Sequence, residues 1–150
     1  MTVRTIVLKG EGIRKEALAV AAITPGHLIE RTSADKFQVH STASGNAQRA
    51  FAVENPNQYD NDIDHAYAAD ETVTAVWCQS GMEIYALVPA AAPAIVIGDI
   101  VGSNGDGCLK KIAAADQDAN VTVESIVGYS LEAVDNSAGG AVARLKIEVA

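Results

Sequence analysis

Asp60-Asn61-Asp62-Ile63-Asp64 sets three carboxylates on alternate residues, and Glu71 falls twelfth counting from Asp60. Calcium loops use hard oxygen ligands at that spacing. The sixth position is His65, where the tight turn of such a loop requires glycine, and Ala66 to Asp70 does not read as the start of a helix. A solvated acidic loop accounts for the same residues. Asp60, Asp62, Asp64 and Glu71 therefore stand as a weak metal candidate, and no cofactor is expected.

The other reactive types are scattered. His27, His40 and His65 form no closely spaced pair, so zinc would need the fold to bring them together with Cys78, Cys108 or carboxylates. The two cysteines read as half-buried thiols of a reducing compartment, although the sequence leaves their pairing open. There is no G-x-S-x-G elbow for a nucleophile. Gly105 to Lys111 has glycines and lysines, but not in the order of a phosphate-cradling loop, and no helix follows. Trp77 and Tyr85 could stack a sugar or a base; as the single tryptophan, Trp77 is better explained as an aromatic anchor of the core. No catalytic set emerges, and the chain is not expected to be an enzyme.

Bulk properties narrow the classes. The 150 residues suffice for one domain with a real core, and at 5% aromatic content that core must come from Ala, Val, Ile and Leu. A formal charge of −8 disfavours nucleic acid and anionic membrane surfaces as partners. Ala86 to Ile97, the longest apolar run, is interrupted by Pro89 and Pro93 and is too short to span a bilayer. The N-terminus has no apolar stretch of the signal-peptide kind, so cytoplasmic synthesis is expected.

Strands must position whatever site exists. From Pro93 to Ile112 the chain reads as strand, kink at Gly98-Asp99, strand, turn at Asn104-Gly105-Asp106-Gly107, strand. Further strand candidates are Thr2 to Lys9, His27 to Glu30, Lys36 to Ser41, Gln48 to Glu54, Thr72 to Cys78, Glu83 to Val88, Val121 to Ala133 as one or two pieces, and Ala141 to Val149. In the last, Ala143, Leu145, Ile147 and Val149 alternate with Arg144, Lys146 and Glu148, the mark of a strand with one buried face. Glu16 to Ile23 is alanine-rich and fits two helical turns or an extended arm. Polar turns are expected at Asn55 to Asp64, Asp116 to Asn120 and Asn136 to Gly140. Many short strands at regular spacing predict an all-β sandwich or barrel. A faint echo runs through the chain: Gly98 and Leu109 lie 72 positions after Gly26 and Phe37, and Tyr129-Ser130-Leu131-Glu132 lies 78 after Phe51-Ala52-Val53-Glu54. Two related half-barrels would produce it, and so would ordinary hairpin grammar.

The order of Ile23-Thr24-Pro25-Gly26-His27-Leu28-Ile29-Glu30, His40, Ala50-Phe51-Ala52-Val53-Glu54, Ile63 with Ala66-Tyr67, Gly98-Asp99-Ile100-Val101, Gly105-Asp106-Gly107 and Val127 to Ala133 resembles the head-decoration, or capsid cement, proteins of tailed bacteriophages. The resemblance covers nearly the whole chain. It implies a small β-barrel or β-tulip body at 23–150 behind an N-terminal arm at 1–22. It also implies a trimer or dimer on the outside of the virion head, bound to the major capsid protein and stabilising the expanded shell. The arm residues Thr2, Val3, Arg4, Thr5, Ile6, Val7, Leu8 and Lys9 are where it would place the contact with capsid or neighbouring subunit. The alternatives are a β-domain of a tail or fibre, and a calcium-dependent carbohydrate-binding domain using the Asp60–Glu71 loop and Trp77.

Overall fold

The β-branched runs do become strands. A computed structural model describes residues 3–56, 62–113 and 122–150. Among them are β1 (Val7–Lys9), β2 (Ile13–Leu18), β3 (Leu28–Arg31), β4 (Phe37–Val39), β5 (Ala50–Ala52), β6 (Thr72–Trp77), β7 (Glu83–Val88), β8 (Ile100–Ser103), β9 (Leu109–Lys111), β10 (Gly128–Ser130) and β11 (Ala143–Val149). They form two antiparallel sheets in a sandwich-like all-β body, with orders β1-β7-β11-β10-β8-β9 and β2-β6-β5-β3-β4.

Set side by side, those orders reveal a duplication. Replacing β2, β3, β4, β5 and β6 by β7, β8, β9, β10 and β11 turns the second order into the first, with β1 left over. The hydrogen bonds repeat as well. Thr32 N–H donates to Lys36 O at 2.8 Å, and Asn104 N–H to Cys108 O at 2.9 Å; His40 N–H donates to Leu28 O, and Ile112 N–H to Ile100 O, each at 2.9 Å. The turn into β3 is closed by Thr24 N–H donating to His27 Nδ1 at 3.1 Å, and the turn into β8 by Val96 N–H donating to Asp99 Oδ2 at 2.9 Å. Gly26 and Gly98 hold the same place in those turns, at φ +96° and +89°, a region that costs a side chain dearly. The faint echo is thus a repeated five-strand unit, the offset growing from 72 to 78 between β4 and β5.

The two units do not pack as mirror images. One core takes Ile84, Ala86, Val88, Val101, Leu109, Leu145, Ile147 and Val149 from the six-stranded sheet, together with Leu28, Phe51 and Val76 from the five-stranded one and Val53 just past β5. A second core takes Ile29, Ala50, Ala52, Val73 and Ala75 from the intervening positions of the five-stranded sheet, capped by Phe37, Tyr67 and Ile23. The five-stranded sheet is therefore covered on both faces, which is why β5 is buried at every residue. Its counterpart in the other unit, β10, exposes Tyr129.

Several elements differ from their sequence expectation. Residues assigned to an N-terminal arm are instead strands of the body: β1 pairs with β7, and β2 pairs with β6 over its whole length. Alanine's helix propensity at Glu16 to Ile23 is overridden by that pairing. Ile95 to Ile97 is no strand: Ile95 makes a single bridge to Val134, while Val96 and Ile97 sit exposed on a turn. In the 121–133 stretch, Val123–Ser125 is a 3₁₀ turn and the strand is only Gly128–Ser130. The turn expected at Asp116 to Asn120 lies outside the described residues.

Candidate functional site

The five-stranded sheet curls until its edges meet at one end. Ala19 bridges Phe37 in parallel, and Val20 N–H donates to Phe37 O at 2.9 Å. A depression of about 650 Å³ opens on this sheet, lined by Lys15, Glu30, Arg31, His40, Asn46, Gln48 and Trp77. Cross-strand pairing explains the company Trp77 keeps. Ile13 stands opposite Trp77 and Lys15 opposite Ala75, so Lys15 shares the indole's face of the sheet. Its ammonium sits 4.7 Å from the Trp77 ring centre. Arg31, beside Phe37 in register, lies 5.1 Å from the Phe37 ring and 5.8 Å from that of Trp77. The two rings are 5.5 Å apart and tilted by 47°. Each exposed cation–ring contact is worth about 0.5–1 kcal/mol, little enough for a side chain to leave it on demand.

The polar rim is organised. The indole N–H donates to Gln48 Oε1 at 3.2 Å, leaving the amide NH₂ of Gln48 free to donate elsewhere. Glu30 accepts from Gln38 Nε2 and Ser41 Oγ, both at 2.6 Å. Burial pushes the Glu30 carboxyl up, but the hydrogen bonds from Ser41 and Gln38 and the nearby His40 outweigh it and hold the group below its ordinary range. Arg31 also pairs with exposed Asp35. Buried His40 ties this wall to the other sheet: Nε2 donates to the Asn46 carbonyl at 2.8 Å, and Nδ1 is hydrogen-bonded to Ser103 Oγ at 2.7 Å.

A second surface lies at the N-terminus. β1 is the outermost strand of one sheet and β2 of the other. Among the described residues no strand lies outside β1 or outside the first part of β2. Ile13 is exposed by 61% beside this open part of β2, and Leu18 and Val20, exposed by 41% and 45%, follow it at the end where β2 meets β4. Residues 1–15 carry Arg4, Lys9, Arg14 and Lys15 against Glu11, a charge of +3; the other 135 residues then carry −11 of the total −8. Of the residues expected to make the contact, Arg4, Thr5 and Lys9 are exposed, and Val3, Val7 and Leu8 are half-buried. Ile6 is fully buried, its N–H donating to Glu54 Oε1 at 2.6 Å and its carbonyl accepting from Tyr85 N–H at 2.8 Å. Thr2 lies outside the described residues.

The acidic set goes elsewhere. Asp62 Oδ1 accepts from Asp64 N–H at 2.9 Å, Asp64 pairs with Arg144 at 2.7 Å, and Glu71 accepts from Ala68 N–H and Asn55 Nδ2. Those two donors hold the Glu71 carboxyl below its usual range. Asp60 lies outside the described residues, and among those described no three His, Cys, Asp or Glu side chains are grouped to hold a metal ion. Trp77 and Tyr85 do not face one another: they lie in different sheets, and Tyr85 stacks under Arg144 at 5.7 Å. Cys78 and Cys108 are free thiols, each pushed up to about 12 by burial. No described helix is long and apolar enough to cross a membrane. No protein-family model matches the chain, and no curated protein matches it.

Lys15 and Arg31 went unnoticed in the sequence. The register of Lys15 with Ala75 and of Arg31 with Phe37 is what brings them to the indole, and it becomes readable only once β2 and β3 are known to be paired strands.

Proposed function

We propose that this protein is structural: it docks on the outer surface of a phage head and stabilises the expanded shell. The whole-chain resemblance to capsid cement proteins supports this reading. The observation that carries it is the two-edged seam, where the first 18 residues supply the outermost strand of both sheets. An open strand edge can extend a partner's sheet through main-chain hydrogen bonds. Exposed Ile13, Leu18 and Val20 add apolar contact, and the local positive charge favours an acidic strip on the shell. Modest single contacts suffice when they recur across a shell.

The test is to mix purified protein with undecorated, expanded heads and follow co-sedimentation and the heads' thermal transition. Binding and a higher transition temperature are expected, both lost in an Ile13→Asp/Leu18→Asp double variant whose own melting temperature is unchanged. Absence of binding by the native protein would end the reading; undiminished binding by the double variant would end the placement at the seam.

A further inference from the structure

We propose that the depression beside Trp77 binds an acidic sugar, a pyranose ring bearing a carboxylate, independently of the docking role of the seam. The argument begins with the duplication. The second unit carries Ile84, Ser103, Leu109 and Val149 where the first carries Lys15, Arg31, Phe37 and Trp77. All four are buried, and the equivalent space is filled core. The fold thus closes this end in one unit with three apolar side chains and Ser103, whose hydroxyl is held by His40. In the other it holds two cations, two rings and an open mouth of about 650 Å³, within the usual range for small-ligand sites.

The chemistry of the wall selects the ligand. A protein of charge −8 places Lys15 and Arg31 together here, against Glu30, whose Oε1 accepts from Gln38 and Ser41 and whose Oε2 faces His40 at 3.7 Å, and against Asp35, which pairs with Arg31 at the rim. Among the described residues Lys15 has no carboxylate partner, and an anionic ligand would supply one. The indole supplies a flat apolar face for the carbon side of a sugar ring, and Gln48 supplies an amide for its hydroxyls. Lys15 moves between two partners: with the site empty its ammonium rests on the indole, and a ring stacking there displaces it onto the ligand's carboxylate.

As the only tryptophan, Trp77 reports on this site alone. The experiment titrates the protein with oligogalacturonate at low salt, by intrinsic fluorescence and by calorimetry, with a neutral malto-oligosaccharide and oligoglutamate in parallel. A saturable change with the uronate is expected, at least tenfold weaker with the neutral sugar and with oligoglutamate, and unaffected by a metal chelator. Lys15→Met and Arg31→Gln should each weaken it at least fivefold at unchanged melting temperature; calorimetry should show the same for Trp77→Phe. A flat response by both methods overturns the proposal, as does equal affinity for the neutral sugar or undiminished binding by the Lys15 and Arg31 variants. Equal or tighter binding of oligoglutamate overturns it in favour of an acidic peptide, and dependence on a metal overturns its charge argument.

Discussion

His27 and Asp99 occupy equivalent turns and do the same work, each accepting a hydrogen bond from the backbone N–H three residues earlier. They differ in how protons couple to folding. Burial above all lowers the His27 pKa to about 4; nearby Asp106 resists this and Arg144 adds to it. Unfolded, the same imidazole titrates near 6.5. Between those values the unfolded chain binds the proton and the folded one does not. The contribution of His27 is therefore complete above pH 6.5 and is lost as pH falls toward 4, in total about 3 kcal/mol. His27→Asn keeps an acceptor in place and removes the titration. Urea unfolding at pH 7.5, 6 and 4.5 should show the native protein losing its advantage over the variant as pH falls. Parallel pH dependence in the two proteins would contradict the assignment.

Equivalent elements in the two units face different solvents. Phe51 on β5 and Tyr129 on β10 hold the same register, opposite Val76 and Glu148. Phe51 is fully buried and Tyr129 is 42% exposed. Phe51→Ala should cost about 3–5 kcal/mol in urea unfolding, and Tyr129→Ala about 1 kcal/mol or less; similar losses would mean that the five-stranded sheet is not covered twice. This double cover also marks what was legible in the sequence. The alternation Leu145, Ile147, Val149 reads correctly because one face of β11 meets water's side of the sheet and the other the core. Val73, Ala75 and Trp77 do share a face, but Val76 opposite them is buried too, and alternation cannot announce a strand packed on both sides. At Glu16 to Ile23 the sequence left helix and extended chain open, because local propensity says nothing of the partner strand that makes Glu16 to Leu18 extended. The Trp77 depression was hidden for the same reason: Lys15 and Arg31 meet the ring only through pairing that composition does not record.

At the scale of the molecule, the repeat has been made dependent on itself. One core draws side chains from both units, and without the second unit the first would expose Leu28, Phe51, Val53 and Val76. β1 tightens the arrangement: it precedes the first unit in the chain but pairs with β7 of the second, and Ile6 beside it is buried in the shared core. A cut in the Ser80-Gly81 turn separates the units and leaves β1 on the wrong side of the break. Because each piece alone would leave its share of the common core bare, the intact chain should unfold in one transition, with near- and far-ultraviolet dichroism coinciding. Fragments 1–79 and 80–150 should each lack a cooperative melt alone and regain one when mixed, since β1 and the shared core give each piece a partner to fold on. A cooperative melt of either fragment by itself would show that the units are independent domains and that the shared core is not what holds the fold.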